Sequence, residues 1–188
     1  GVGVIDIGMI DTPQMYFAIN HLKTCGGVQV TASHNPAKYN GFKISGRGAI
    51  PIGGDTGLKD IQHLALAMPH TKGNPTGSLR QQDLSAEYKQ HVLQFLRPGL
   101  KDKKIAVDAS NGMAGKVLPL LFGDGPVEIV DINFEYTGKF KHDPDPLKEK
   151  NLSQVRAMVK RQKCDFGLCF DGDADRMILV DEKGDTVS

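Results

Sequence analysis

The 188-residue chain has little of what would mark a secreted, membrane-bound or nucleic-acid-binding protein. It has three cysteines, an odd number, which argues against a disulfide framework. Cys164 and Cys169 lie five apart on one expected strand, facing opposite sides, so they cannot share a metal. The expectation is buried, reduced thiols in a cytoplasmic protein. There is no charge excess: the formal net charge is +1. That excludes the electrostatic footprint of a nucleic-acid or anionic-membrane partner. No apolar run approaches the roughly 18 residues of a membrane span, and no signal peptide is visible. An initiator methionine is also missing, and Gly1 opens inside an expected strand, as expected of a piece cut from something longer. Hydrophobic content of 39% and charged content of 24% suit a soluble globular chain with a core to bury.

What is present centres on Asp171-Gly172-Asp173-Ala174-Asp175, closing on Arg176 between two apolar, strand-like runs. In an extended backbone, side chains at i, i+2 and i+4 share a face, so the three carboxylates should converge. Anions about 5 Å apart repel by roughly 3 kcal/mol per pair at an effective dielectric near 20. A divalent cation removes that cost, and carboxylate oxygens around an open position suit Mg²⁺ carrying waters and a phosphate. Two other readings compete. Asp171, Asp173, Asp175 and Glu182 fall at EF-hand positions 1, 3, 5 and 12, but position 6 requires glycine and here is Arg176. The flanks also read as strands, not helices. The blander alternative is a solvated acidic hairpin.

Taken in order, residues 1–8 read as a strand and Thr12-Pro13 as a helix start, with Thr12 as N-cap and Pro13 at the first helical position. Met15, Ile19 and Leu22 share a helical face, Gly26-Gly27 stops the helix, and residues 28–32 form the next strand, completing a β–α–β unit. Ligands collect beyond the carboxyl ends of such strands, where Ser33-His34-Asn35-Pro36 lies. His34 could face a substrate or cap the loop, and Lys43 could be an edge-strand lysine or a cation aimed at that loop. A glycine-rich stretch at 46–57 suggests a hairpin and surface loop, followed by a helix at 58–67.

The polar segment 69–82, with its prolines and glycines, reads as a linker between a domain at 1–68 and another at 83–188. In the second, helices are expected at 83–97, from the turn at 109–115 to about 122, and at 147–162. The 83–97 helix would present Leu84, Tyr88, Val92 and Phe95 as a stripe. Strands are expected at 104–108, 127–131 and across 164–181. The turn at Gly112 is expected to be structural, since its spacing is neither a P-loop nor a dinucleotide fingerprint. His142 is likewise expected to be structural. Alternating strands and helices imply an α/β fold of two layered α/β/α domains with mixed sheets.

Thr31-Ala32-Ser33-His34-Asn35-Pro36 with Tyr39-Asn40-Gly41-Phe42-Lys43, then Val107 to Gly115, then Asp171 to Arg176, resembles the α-D-phosphohexomutases, the phosphomannomutase/phosphoglucomutase family. The resemblance covers essentially the whole chain but only part of a four-domain member: most of the first domain and most or all of the second. One departure falls at 136–142, where an acidic residue before the glycine and a proline near 141 are expected. The resemblance implies that Ser33 carries a phosphoryl group moved between C1 and C6 of a mannose or glucose phosphate. A hexose 1,6-bisphosphate would be the intermediate and activator, and Mg²⁺ would bind Ser33, Asp171, Asp173 and Asp175. His34 and Lys43 would be acid/base candidates, Lys43 needing a lowered pKa, while Arg176 and Asn35 would contact phosphate. This stretch alone is expected to be inactive, because positioning is much of what catalyses phosphoryl transfer. A metal-dependent phosphatase and a non-catalytic sugar-phosphate-binding module remain the alternatives. The preferred hexose and the oligomeric state are left open.

Overall fold

A computed structural model describes residues 1–68, 76–123 and 125–187. It is an α/β fold with mixed sheets. In chain order the elements are β1 (Val4–Asp6), α1 (Thr12–His21), β2 (Gly26–Val30), β3 (Phe42–Gly46), α2 (Lys59–Ala67), β4 (Leu79–Gln81) and α3 (Ser85–Leu93). They continue with β5 (Lys103–Asp108), α4 (Ala114–Phe122), β6 (Val127–Ile132), α5 (Ser153–Gln162), β7 (Phe166–Phe170), β8 (Met177–Val180) and β9 (Thr186–Val187).

The second half is one sheet in the order β6-β5-β7-β8-β9, with β5 parallel to β6 and β7, and β7, β8 and β9 antiparallel in turn. β5 is buried along Ile105–Asp108, as a central parallel strand should be. α5 lays Val155 and Val159, both fully buried, over Ala106, Cys169 and Val180. The chain leaves β5 towards β6 and then crosses back to β7, so neighbouring strands β5 and β7 send their following loops apart. That is the switch point at which such sheets open a crevice. Residues 109–113 and 171–176, which follow those two strands, form its lip.

The first half is built more loosely. β1 pairs in parallel with β4, and β2 pairs antiparallel with β3. The expected β–α–β unit is therefore corrected: β1 and β2 lie in different sheets, because a local pattern identifies a strand but not its partner. β4 also falls inside the expected linker 69–82, of which 69–75 lies outside the described residues. Gly46 to Pro51 is not a plain hairpin. It passes through a short 3₁₀ turn at Arg47–Ala49 to an isolated bridge between Ser45 and Pro51.

Several expected boundaries move. α3 ends at Leu93, leaving Phe95 exposed, and a 3₁₀ turn at Glu149–Leu152 precedes α5. Cys164 lies before β7 and not on it, and Cys25 is exposed, although Cys164 and Cys169 are buried. The helix cap also shifts by one residue. Asp11 caps α1 by accepting from Gln14 N–H at 2.9 Å, which places Pro13 second and releases the Thr12 hydroxyl for another use.

Candidate active site

Ser33 stands just beyond β2 with φ +53°, in the left-handed region that a non-glycine residue enters at a cost of about 1–2 kcal/mol. The Thr31 hydroxyl holds it there, accepting from Ser33 N–H at 2.8 Å. Asn35 closes the turn, with its backbone and side-chain N–H groups donating to the Ala32 carbonyl at 3.0 and 2.9 Å. Asn35, expected to contact phosphate, is here an exposed loop-holder.

The acidic loop joins β7 to β8. It is a tight turn rather than the extended stretch assumed from the sequence. Asp171 Oδ1 accepts the backbone N–H groups of Asp175 and Arg176, each at 3.1 Å, and Ala174 has φ +56°. The three carboxylates still converge, each offering an oxygen within 4.8 Å of the others. Strands on both sides rule out an EF-hand. A solvated hairpin is also ruled out, because Asp171 and Asp173 are 0% and 2% exposed.

The two loops meet. Ser33 Oγ donates to Asp171 Oδ2 at 2.9 Å, and Arg176 Nη2 donates to Ser33 Oγ at 2.8 Å. The same guanidinium holds Asp171 Oδ2 through Nε at 3.0 Å and Nη2 at 2.9 Å. It also donates to His34 Nδ1, which places the neutral ring's proton on Nε2. Lys43 Nζ reaches Asp173 Oδ2 at 2.7 Å and bonds Asp175 as well. The structure thus brings Ser33, His34, Lys43, Arg176 and the three aspartates into one crevice.

Glycine makes that approach possible. A Cβ on Gly172 would stand 2.4 Å from the Ser33 carbonyl oxygen, and a Cβ on Gly112 would stand 2.4 Å from the Gly172 carbonyl oxygen. Met113 N–H donates to Gly172 O at 2.9 Å. Gly112 therefore serves close backbone packing, as its spacing suggested.

Charge is unevenly distributed among these groups. Burial, followed by the Asp173 charge, pushes Asp171 above the ordinary carboxylate range. Burial also opposes the charge on Asp173, but the bonds from Lys43 and Thr12 outweigh it and hold Asp173 low. Burial would lower Lys43, yet its bonds to Asp173 and Asp175 leave it above an ordinary lysine. The lowered pKa that a lysine base needs is absent in this arrangement.

Three buried features escaped the sequence reading. Thr12 Oγ1 donates to Asp173 Oδ2 at 2.6 Å, and Thr12 N–H donates to the Asp173 carbonyl at 3.0 Å. Tyr88 OH donates to Asp11 Oδ2 at 3.3 Å, joining the two halves. Asp108 gathers Ser110 N–H and Asn133 Nδ2, each at 2.9 Å, and His142 Nε2 at 3.1 Å. His142, whose Nδ1 faces the Asp143 carbonyl at 2.8 Å, is raised first by the Asp108 bond, and its role is structural. The sequence signals at these residues pointed elsewhere or less far: Thr12 to a cap, Tyr88 to an apolar stripe, and His142 to a structural role without its partner Asp108.

The description "Phosphoglucomutase/phosphomannomutase, alpha/beta/alpha domain I" matches residues 1–67, and that of domain II of the same family matches 86–184. The chain belongs to the phosphoglucomutase/phosphomannomutase family. A phosphomannomutase of Vibrio cholerae is 39% identical across the whole of this chain, which covers 42% of that protein. A phosphoglucomutase of Neisseria meningitidis is 36% identical, again over the whole chain, covering 40% of its length. A solved family structure from Burkholderia thailandensis superposes with a TM-score of 0.83 at 33% identity, covering all of this chain and 42% of the other. The chain thus spans about two-fifths of the length of these family members.

Proposed function

We propose that this chain carries the phosphoryl-accepting serine and the metal-binding loop of a phosphohexomutase, an isomerase interconverting hexose 1- and 6-phosphates. The observation carrying this reading is Ser33 Oγ, 2.9 Å from Asp171 Oδ2 and 2.8 Å from Arg176 Nη2. A turn-forming serine has no need of a buried carboxylate and a guanidinium on its hydroxyl, whereas a phosphoryl carrier does. The names of the Vibrio and Neisseria relatives supply the sugar phosphate class.

Asp171, Asp173 and Asp175, together with a phosphorylated Ser33, would hold Mg²⁺. The residues fit: among the described residues Asp173 Oδ1 is buried without a hydrogen-bond partner, and a cation suits a buried carboxylate oxygen of that kind. Such an ion would neutralise phosphoryl oxygens as the group transfers. The remaining work falls to the chain itself. When a sugar hydroxyl takes the phosphate, its oxygen–phosphorus bond forms as the bond to Ser33 Oγ breaks. The sugar oxygen loses a proton, and Ser33 Oγ gains one. Arg176 Nη2 sits against the oxygen on which charge then develops. Lys43, held as a cation by Asp173 and Asp175, acts as fixed positive charge towards the phosphoryl oxygens more readily than as a base. His34, with Nδ1 on Arg176, offers only Nε2–H outward, as a donor to phosphate or sugar. Transfer in the opposite sense, from a hexose 1,6-bisphosphate to the serine, would recharge the enzyme and give the bisphosphate its activating role.

No described helix is long and apolar enough to cross a membrane. A sugar-phosphate substrate and a cytoplasmic setting follow from the mutase reading. In the intact enzyme, incubation with glucose 1,6-bisphosphate and Mg²⁺ should add one phosphate by intact mass, mapped to Ser33 and absent from Ser33→Ala. A phosphate carried on an aspartate, with Ser33→Ala unaffected, would indicate the phosphatase chemistry instead.

A further inference from the structure

Thr12 opens α1, 161 residues before the carboxylate it touches, and is 0% exposed. Threonine at a helix start ordinarily bonds the helix's own N–H groups. Here Asp11 does that work, through Gln14 N–H at 2.9 Å, and Tyr88 OH steadies Asp11 from α3 at 3.3 Å. The freed Thr12 hydroxyl donates to Asp173 Oδ2 at 2.6 Å, while Thr12 N–H donates to the Asp173 carbonyl at 3.0 Å. Side chain and backbone of one aspartate are thus gripped by a single residue. Oδ2 is then fully engaged, taking Lys43 Nζ at 2.7 Å as well, and Oδ1 is left buried with no partner among the described residues. Lys43 alone would hold the carboxylate loosely, since its ammonium divides its donors between Asp173 and Asp175 on a flexible stem.

We propose that Thr12 is a positioning residue for the metal centre: it fixes the Asp173 carboxylate so that Oδ1 is presented to the cation. The inference rests on the metal reading of the aspartate loop and extends it to a residue of the other half of the chain. Partners that orient a ligand typically change metal affinity by about 10- to 100-fold when removed.

The test is Mn²⁺ titration of this protein, followed by calorimetry, for the wild type, Thr12→Val and Thr12→Ser, with thermal melts of each. Thr12→Val keeps the shape and removes the hydroxyl. It should weaken Mn²⁺ binding by roughly 10- to 100-fold, while Thr12→Ser, which keeps the donor, binds like wild type. If Thr12→Val fails to fold, Thr12→Ala removes the same oxygen and takes its place. Thr12→Val with wild-type affinity and only a lowered melting temperature would make Thr12 merely structural and overturn the proposal, leaving the metal site intact. Equal weakening in Thr12→Val and Thr12→Ser would overturn it too, since the hydroxyl would then not matter. A wild-type protein that binds no Mn²⁺ would overturn the metal reading itself, and this inference with it.

Discussion

The two halves of the chain are built on different terms. In the second, a five-stranded sheet buries β5 and carries α5 over a core with Leu152, Val155, Val159 and Val180 at 2% exposure or less. In the first, two separate two-stranded pairs leave Val28, Val30 and Phe42 exposed, and α2 buries none of its residues. The second half holds the aspartates at the lip of its sheet, and the first half brings Ser33, Lys43 and Thr12 to them. The site depends on the fit between the two halves, so changes where they meet should affect chemistry more than their stability cost suggests.

The sharpest way to break that comparison is Gly172→Ala. The added carbon would meet the Ser33 carbonyl at 2.4 Å, backbone against backbone, and must push the serine loop outward. A displacement near 1 Å should slow phosphate incorporation at Ser33 of the intact enzyme by roughly 100-fold, measured by intact mass over time. Stability should fall far less.

Core substitutions separate the halves by stability alone. Leu152→Ala, at 2% exposure under α5, should cost about 3 kcal/mol in urea unfolding. Leu64→Ala on α2, 66% exposed, should change stability by less than about 0.5 kcal/mol. Equal costs would mean that the first half is packed as tightly as the second.

The joint between them should also respond to pH. Burial, only partly offset by its bonds to Gln14 and Tyr88, raises Asp11 from 3.8 to about 6. The Tyr88 phenol is held well above its ordinary value, first by burial and then by the Asp11 charge. With the folded pKa above the unfolded one, the folded state binds the proton more tightly. Stability therefore falls as pH rises from about 4 to about 6, and the charge costs about 3 kcal/mol above that window. Asp11→Asn keeps a capping oxygen and removes the charge. It should flatten the melting temperature between pH 4 and 6 and raise it at pH 7.

Much of this was legible in the sequence, for identifiable reasons. The Ser33 and Asp171–Asp175 segments combine turn residues with chemistry-bearing side chains at fixed offsets, and the second-half strands are apolar runs that only a buried sheet accommodates. The convergence of the carboxylates was expected for the wrong reason: a tight turn capped by Asp171 achieves it, not strand alternation. Asp11 and Thr12 are both good capping residues, so sequence could not decide which would cap and which would be free for Asp173. The pairing of β1 with β4 is non-local and leaves no periodic trace. The pKa of Lys43 depends on two carboxylates 130 and 132 residues away, visible only once the chain is folded.

The central claim is that residue 33 and the aspartate loop share one cation. The direct measurement is the ³¹P resonance of protein phosphorylated at Ser33, recorded with and without stoichiometric Mn²⁺. The phosphoserine line should broaden beyond detection with Mn²⁺, return on chelation, and stay sharp in a variant with Asp171, Asp173 and Asp175 all changed to asparagine. A line that stays sharp in the wild type while calorimetry shows Mn²⁺ bound would place the ion away from the serine and contradict the shared site.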